Sequence, residues 1–141
     1  TIRKYYKSKG KIPIITSAPQ TPYFTKNSWV IDYVLLEKDF PTAFDFYNIQ
    51  FYNNNNGNTY DSTIGSEDKP NTALYMLKRG IPSTKIVLGK CGKGGNCCLS
   101  DFYVDSLELK KWAIEYDFKG IMYWSYLGGC TPEATNWLKL N

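Results

Sequence analysis

Residues 105–126, DSLELKKWAIEYDFKGIMYWSY, hold one helix followed by one strand, and this unit decides the fold. Asp105 and Glu108 have the spacing of a capping box that opens a helix. Four apolar residues then recur at i, i+3, i+4 and i+7, which predicts one buried helix face: Leu109, Trp112, Ala113 and Tyr116. Gly120 is expected to end the helix, and the apolar residues 121–126 predict a buried strand.

The same alternation of helix and strand runs through the rest of the chain. Apolar runs bounded by turn residues predict three further strands, at residues 11–17, 44–52 and 85–89. Caps, periodicity and terminal glycines predict helices at residues 2–9, 71–79 and 131–140. Residues 29–36 are apolar throughout and fit either a helix or a strand. Strands linked by helices imply parallel β/α units with right-handed crossovers, in one domain of the α/β class.

Composition excludes several classes of function. The 141 residues include no histidine, which excludes Ser-His-Asp and Cys-His catalysis and imidazole metal ligands. The net charge is +4 and Arg3 and Arg79 are the only arginines, so no nucleic-acid binding is predicted. No apolar run approaches the roughly 20 residues of a membrane-spanning helix. Thr1 opens the chain with neither a starting Met nor a signal peptide, so we expect a processed product or a fragment.

Cysteine usage indicates disulfides in an oxidising, secreted setting. The four cysteines are Cys91, Cys97, Cys98 and Cys130. Their spacing does not match a paired C-x-x-C zinc knuckle, and the glycine-rich tract at 91–98 suits a short disulfide. Three connectivities are possible, and the sequence does not choose among them. We predict no metal site and no cofactor.

The carboxyl ends of the predicted strands carry an unusual set of side chains. In parallel β/α architectures these ends meet at the functional edge of the sheet. Amides, tyrosines and a tryptophan converge there, from residues 17–20, 50–53, 89–91 and 123–126. Aromatic faces stack on sugar rings while amides and phenols bond hydroxyl and acetamide groups, so the set predicts a carbohydrate site. The alternative is that Tyr52 and Trp124 are core aromatics.

Three of these strand ends resemble glycoside hydrolase family 18. They are SAPQ at 17–20, QFYNN at 50–54 and GIMYWS at 120–125. The likeness is closest to class III-type chitinases, in which these motifs close strands five, six and eight of a (β/α)8 barrel. The resemblance spans residues 2–141 and implies the C-terminal half of a TIM barrel. Such a barrel usually needs about 250 residues.

The resemblance also implies roles for individual residues. Family catalysis is substrate-assisted, because the sugar acetamide oxygen attacks its own anomeric carbon. Tyr52 matches the Tyr that bonds this acetamide oxygen. Gln50 and Asn53 match polar positions beside it, Trp124 matches the floor of the subsite for the reacting sugar, and Gln20 matches a rim position. The implied ligands are chitin or N-acetylglucosamine oligosaccharides.

The chain departs from the family pattern in two places. The motif Asp-x-x-Asp-x-Asp-x-Glu, whose Glu protonates the leaving oxygen, is absent. In addition, residues 90–92 are Lys-Cys-Gly where the family often has a small Pro-Ala turn.

Three hypotheses remain open. The chain is the carboxyl half of a chitinase, a chitinase-like lectin that has lost the acid, or a structural fragment without a sugar site. In the first case we expect the chain to be inactive alone and to need the N-terminal half of the barrel or another copy of itself.

Overall fold

A four-stranded parallel sheet forms the centre of the molecule. The structure, a computed structural model, describes residues 1–26, 28, 30–54, 57–92 and 103–124. Within these ranges the strand order is β1-β2-β3-β4, and each strand pairs in parallel with the next. The strands are β1 (Thr16–Ser17), β2 (Phe46–Gln50), β3 (Ile86–Cys91) and β4 (Gly120–Trp124). The prediction of parallel β/α units is therefore confirmed.

Helices connect the strands. They are α1 (Ile2–Ser8), α2 (Tyr33–Asp39), α3 (Tyr60–Thr63), α4 (Ala73–Lys78) and α5 (Ser106–Glu115). Two short 3-10 helices lie at Thr21–Phe24 and Ser83–Lys85. Side-chain caps start the longer helices: Asp32 accepts from the backbone N–H of Val34 and Leu35, and Asp105 accepts from that of Leu107. No helix in the described ranges is both long and apolar enough to cross a membrane.

Several sequence predictions need correction at their boundaries. The strand predicted at 11–17 shortens to Thr16–Ser17, because Pro13 has no backbone N–H to donate and this is the sheet edge. Just before β1, the backbone N–H of Ile15 donates to the carboxylate of Asp45 at 2.6 Å instead of to a neighbouring strand. The helix before β4 ends at Glu115 rather than at Gly120, because Asp117 adopts the left-handed region at φ 52°.

The structure settles the ambiguous segment at 29–36, and some other predictions concern residues outside the described ranges. The ambiguous segment 29–36 becomes helical from Tyr33, while Trp29 is outside the described residues. Helix α3 is not among the helices that the sequence predicts. The predicted helix at 131–140 and the last two residues of the predicted strand at 121–126 lie outside the described residues.

One face of the sheet packs against the helices and forms the core. In β2 the side chains of Tyr47 and Ile49 are fully buried on this face, and Phe51 continues the row. Tyr47 donates its phenol proton to Glu37 of α2 at 2.6 Å, and Lys85 pairs with the same carboxylate at 2.6 Å. These contacts fix α2 against the sheet, and burial and the Glu37 contact both raise the pKa of Tyr47.

The opposite face of the sheet, which we call the open face, is buried along β3 but exposed at the end of β4, where Trp124 lies. The register places Phe46, Gly89, Met122 and Trp124 on this face. Just before β1, Ile12 is 94% and Ile14 is 74% exposed. Both precede Thr16 by an even number of residues. Parallel sheets normally have both faces covered. Within the described residues, helices cover one face of the sheet, and the other face is incompletely covered.

Candidate functional site

The five predicted sugar-site residues lie along one edge of the sheet, at the carboxyl ends of the strands. Gln20 forms an isolated parallel bridge with Gln50. Cys91 of β3 lies between Tyr52 and Trp124. It packs against Tyr52, and it pairs in register with Trp124 of β4. Asn53 follows Tyr52 directly. The edge therefore runs from Gln20 to Trp124 across all four strands, as the sequence predicts.

Tyr52 is held deep in this edge. Its side chain is only 5% exposed and packs against Cys91 on the open face of the sheet. Burial raises the pKa of the Tyr52 phenol above its usual value near 10, so the group stays protonated at neutral pH. A protonated phenol is a hydrogen-bond donor. The site can therefore offer a donor to a carbonyl-type oxygen at every pH from acid to weakly alkaline.

The two glutamines stabilise the edge itself. Gln50 donates its side-chain N–H to the carbonyl of Ala18 at 2.7 Å, which ties β2 to the segment after β1. Its backbone N–H donates to the carbonyl of Pro19 at 2.9 Å. Gln20 is half-buried and immediately precedes the 3-10 helix at Thr21–Phe24.

Asn53 and Trp124 are the exposed members of the set. Asn53 has a left-handed backbone with φ 59°, a conformation in which Asn is enriched, and its side chain is exposed. Trp124 is 55% exposed at the end of β4. The exposed indole lies at the same edge as Tyr52, with β3 between them, and offers a flat apolar surface for stacking.

Lys90 is a residue of this region that the sequence prediction did not include among the site residues. Its side chain is fully buried, and its ammonium group donates to the carbonyls of Phe51 and Gly57, both at 2.9 Å. Burial lowers the pKa of Lys90 to about 7. The sequence signal that could have identified it is the departure from the family pattern at 90–92.

The lowered pKa of Lys90 predicts how stability depends on pH. In the unfolded chain Lys90 keeps its proton up to about pH 10.4, whereas in the folded chain it loses the proton near pH 7. The unfolded state therefore binds more protons between these values, so the free energy of unfolding should rise with pH by at most about 1.4 kcal/mol per unit. Urea unfolding between pH 6 and 9 checks this. Lys90→Met should remove the rise, and a wild-type curve that is flat above pH 7 would contradict the prediction.

The cysteine prediction can be followed for Cys91 alone. Cys91 is buried, and no cysteine within the described ranges is a free thiol. Cys97, Cys98 and Cys130 lie outside the described residues, so the connectivity stays a prediction. Within the described part of the chain, no group of three or more His, Cys, Asp or Glu side chains could hold a metal ion.

Solved structures share this fold. No protein-family model and no curated protein matches the sequence. A GH18 chitinase from Pseudoalteromonas aurantia is 24% identical, with a TM-score of 0.58 over 80% of this chain and 40% of that one. A chitinase from Aspergillus fumigatus is 19% identical, with a TM-score of 0.63 over 99% of this chain and 52% of that one. A fungal endo-β-N-acetylglucosaminidase of glycosyl hydrolase family 18 is 22% identical, with a TM-score of 0.62 over 96% and 47%.

The chain has the fold of half a family 18 barrel. It covers between 40% and 52% of each of these structures, and its four parallel strands alternate with helices. The family resemblance seen in the sequence is thus confirmed at the level of the fold. The assignment to strands five to eight continues to rest on the order of the three motifs.

Proposed function

We propose that the chain is the carboxyl half of a family 18 chitinase and supplies the sugar-contacting wall of its active site. The observation that carries this proposal is the edge itself: Tyr52 and Trp124 lie on either side of Cys91 at the carboxyl ends of parallel strands. That edge is where barrel enzymes of this architecture bind their substrates. The substrate class is a β-1,4-linked polymer of N-acetylglucosamine, cleaved with retention of configuration.

The residues of this chain would act on the acetamide group of the reacting sugar. As the acetamide oxygen attacks the anomeric carbon, charge develops on the acetamide, and the protonated Tyr52 phenol donates a hydrogen bond to that oxygen. Gln50 borders the same pocket. Trp124 stacks under the apolar face of the ring and holds it over the attacking group. The proton for the leaving oxygen comes from a Glu of the other half.

The proposed partner is that other half, the N-terminal four β/α units of the barrel. It would cover Ile12 and Ile14, which are exposed just before β1, and pair with the free edge of β1. An apolar groove of about 560 Å³ lies on the β1 side of the sheet. Its lining includes Ile2 of α1, and Phe40 and Phe44 between α2 and β2. Mixing the chain with the N-terminal half should give a 1:1 complex in light scattering. A dimer of this chain alone would favour another copy as the partner.

Substitution of Trp124 tests the binding part of the proposal. In the complete barrel, Trp124→Ala should weaken the affinity for a chitin oligomer by about tenfold or more, because a stacking surface for the sugar is lost. Isothermal titration measures this directly. Ile114→Ala is a suitable control, since Ile114 is an exposed apolar residue on α5 that belongs to no part of the edge. Wild-type affinity in the Trp124 variant would refute the assigned contact.

A non-catalytic lectin is the second candidate, because the exposed indole of Trp124 could stack on a sugar without any catalytic acid. Both candidates bind chitin oligomers, but only the chitinase cleaves them. An assay of the complete barrel for release of N-acetylglucosamine oligomers separates them. We further propose secretion, with Cys91 in a disulfide; mass spectrometry of peptides prepared without reduction would identify its partner among Cys97, Cys98 and Cys130.

A further inference from the structure

Lys90 places a buried amino group directly behind the sugar-site edge. It follows Ile86 and Leu88 at every second position of β3, so its side chain points to the helix-covered face of the sheet and away from the open face. Within the described ranges Lys90 forms no ion pair with a carboxylate. A buried charge is strongly unfavourable unless hydrogen bonds replace its hydration. The bonds that Lys90 does form therefore indicate its role.

The Lys90 amino group binds two backbone carbonyls that follow β2. One bond goes to the carbonyl of Phe51, which belongs to the peptide group joining Phe51 to Tyr52, and the other goes to the carbonyl of Gly57. Both N–O distances are 2.9 Å, which is an ordinary length for an N–H···O hydrogen bond. Lys90 therefore holds the backbone on the N-terminal side of Tyr52 and links it to Gly57.

Two further bonds complete the fixation of Tyr52. The side-chain N–H of Asn54 donates to the carbonyl of Tyr52 at 2.8 Å, which holds the peptide group on its C-terminal side. The backbone N–H of Phe51 donates to the carbonyl of Gly89 at 2.9 Å. With both flanking peptides held, the Tyr52 ring has a defined direction against Cys91. Groups that act on developing charge need this kind of fixed geometry.

We infer that Lys90 is a positioning residue for Tyr52, acting through the Phe51 and Gly57 carbonyls, and this rests on the proposed function of Tyr52. It touches no substrate atom. A loss of Lys90 should therefore loosen the turn and misdirect the phenol, which affects the transition state more than the binding of the substrate.

Hydrogen exchange in the complete protein tests the contact without any need for activity. In Lys90→Met, amide exchange at residues 52–54 should become about tenfold faster, because two hydrogen bonds to the backbone are lost. Lys78→Met is the control, since Lys78 is an exposed lysine that pairs with Asp68 at 2.7 Å on the far side of α4, and it should leave these amides unchanged. If Lys90→Met fails to fold, Lys90→Gln replaces it, because its side chain is one bond shorter and does not reach both carbonyls. Wild-type exchange at 52–54 in the folded variant would overturn the inference.

A double-mutant cycle on kcat separates positioning from a general structural role. Lys90→Met alone should lower kcat for a chitin oligomer by about tenfold, with KM little changed. Adding Tyr52→Phe to that variant should then cost much less than Tyr52→Phe costs in the wild type, because the phenol is already misdirected. Independent, multiplicative losses would overturn the inference. An inactive wild-type barrel would refute the proposed function, while the exchange result would still decide whether Lys90 holds the turn.

Discussion

Replacing Tyr52 by Phe is expected to lower kcat for hydrolysis of a chitin oligomer by about 10²-fold or more in the complete barrel enzyme. The substitution removes one hydroxyl group and leaves the ring, which packs against Cys91, in place. In the proposed mechanism, the lost donor faces a charge that develops only as the acetamide oxygen attacks. KM should therefore change little, since the ground state makes less use of this hydrogen bond than the transition state does.

The matched control for this prediction is Tyr75→Phe. Tyr75 lies on α4 with its ring beside Arg79, so this change also removes one phenol hydroxyl but does so away from the edge of the sheet. Steady-state kinetics of both variants should show a loss of kcat for Tyr52→Phe alone. Equal kcat values in the two variants would show that the Tyr52 phenol does not take part in the reaction.

The parts of the fold that the sequence predicts best are those with several agreeing local signals. Helix α5 has an acidic N-cap, an apolar face at helical spacing and a strand directly after it, and the structure confirms Leu109, Trp112 and Ala113 as buried. Gly80 ends α4 in the left-handed region at φ 100°, as its position after the helix predicts. Agreement among independent local preferences is what makes such segments predictable.

The parts that the sequence predicts poorly depend on tertiary contacts. The run at 11–17 is apolar enough for a strand, but only Thr16 and Ser17 pair with β2, because Pro13 has no backbone N–H to donate. Helix α3 was missed although Thr59 and Ser62 form a capping box, because the polar stretch around it has no apolar periodicity. In α2, the buried Glu37 is acceptable only because Tyr47 and Lys85 both reach its carboxylate.

The candidate site was predictable in location and less so in detail. Parallel strands must end at one edge, so the sequence alone brings Gln20, Gln50, Tyr52 and Trp124 together. The sequence cannot show that the Gln50 amide nitrogen is already bound to Ala18. Nor can it show that Lys90 is fully buried, since a lysine near a strand end usually reaches solvent. Both facts arise from the packing of the neighbouring strand and turn.

The glycine at the centre of the sheet leads to the prediction with the largest effect on stability. Gly89 is buried in β3, where it pairs with Gln50 on one side and Met122 on the other. A Cβ atom at this position would collide with the carbonyl oxygen of Ile49 in β2 and would lie 2.8 Å from Cε of Met122. The Met122 side chain can move, but the Ile49 oxygen belongs to the backbone of the paired strand. A glycine inside a strand often marks such a close approach.

Gly89→Ala is therefore expected to lower the free energy of unfolding by about 1–3 kcal/mol, because β2 and β3 must separate locally to admit one methyl group. Gly120→Ala is the matched control: Gly120 starts β4, and a Cβ atom there has no neighbour within 4 Å. At such an open position alanine restricts the unfolded chain, which should raise stability by about 0.4–1 kcal/mol. The two identical changes should thus shift the urea midpoint in opposite directions. Equal shifts would mean that the paired strands adapt freely to a Cβ atom at position 89, and the close approach of β2 to β3 would then not constrain this part of the sheet.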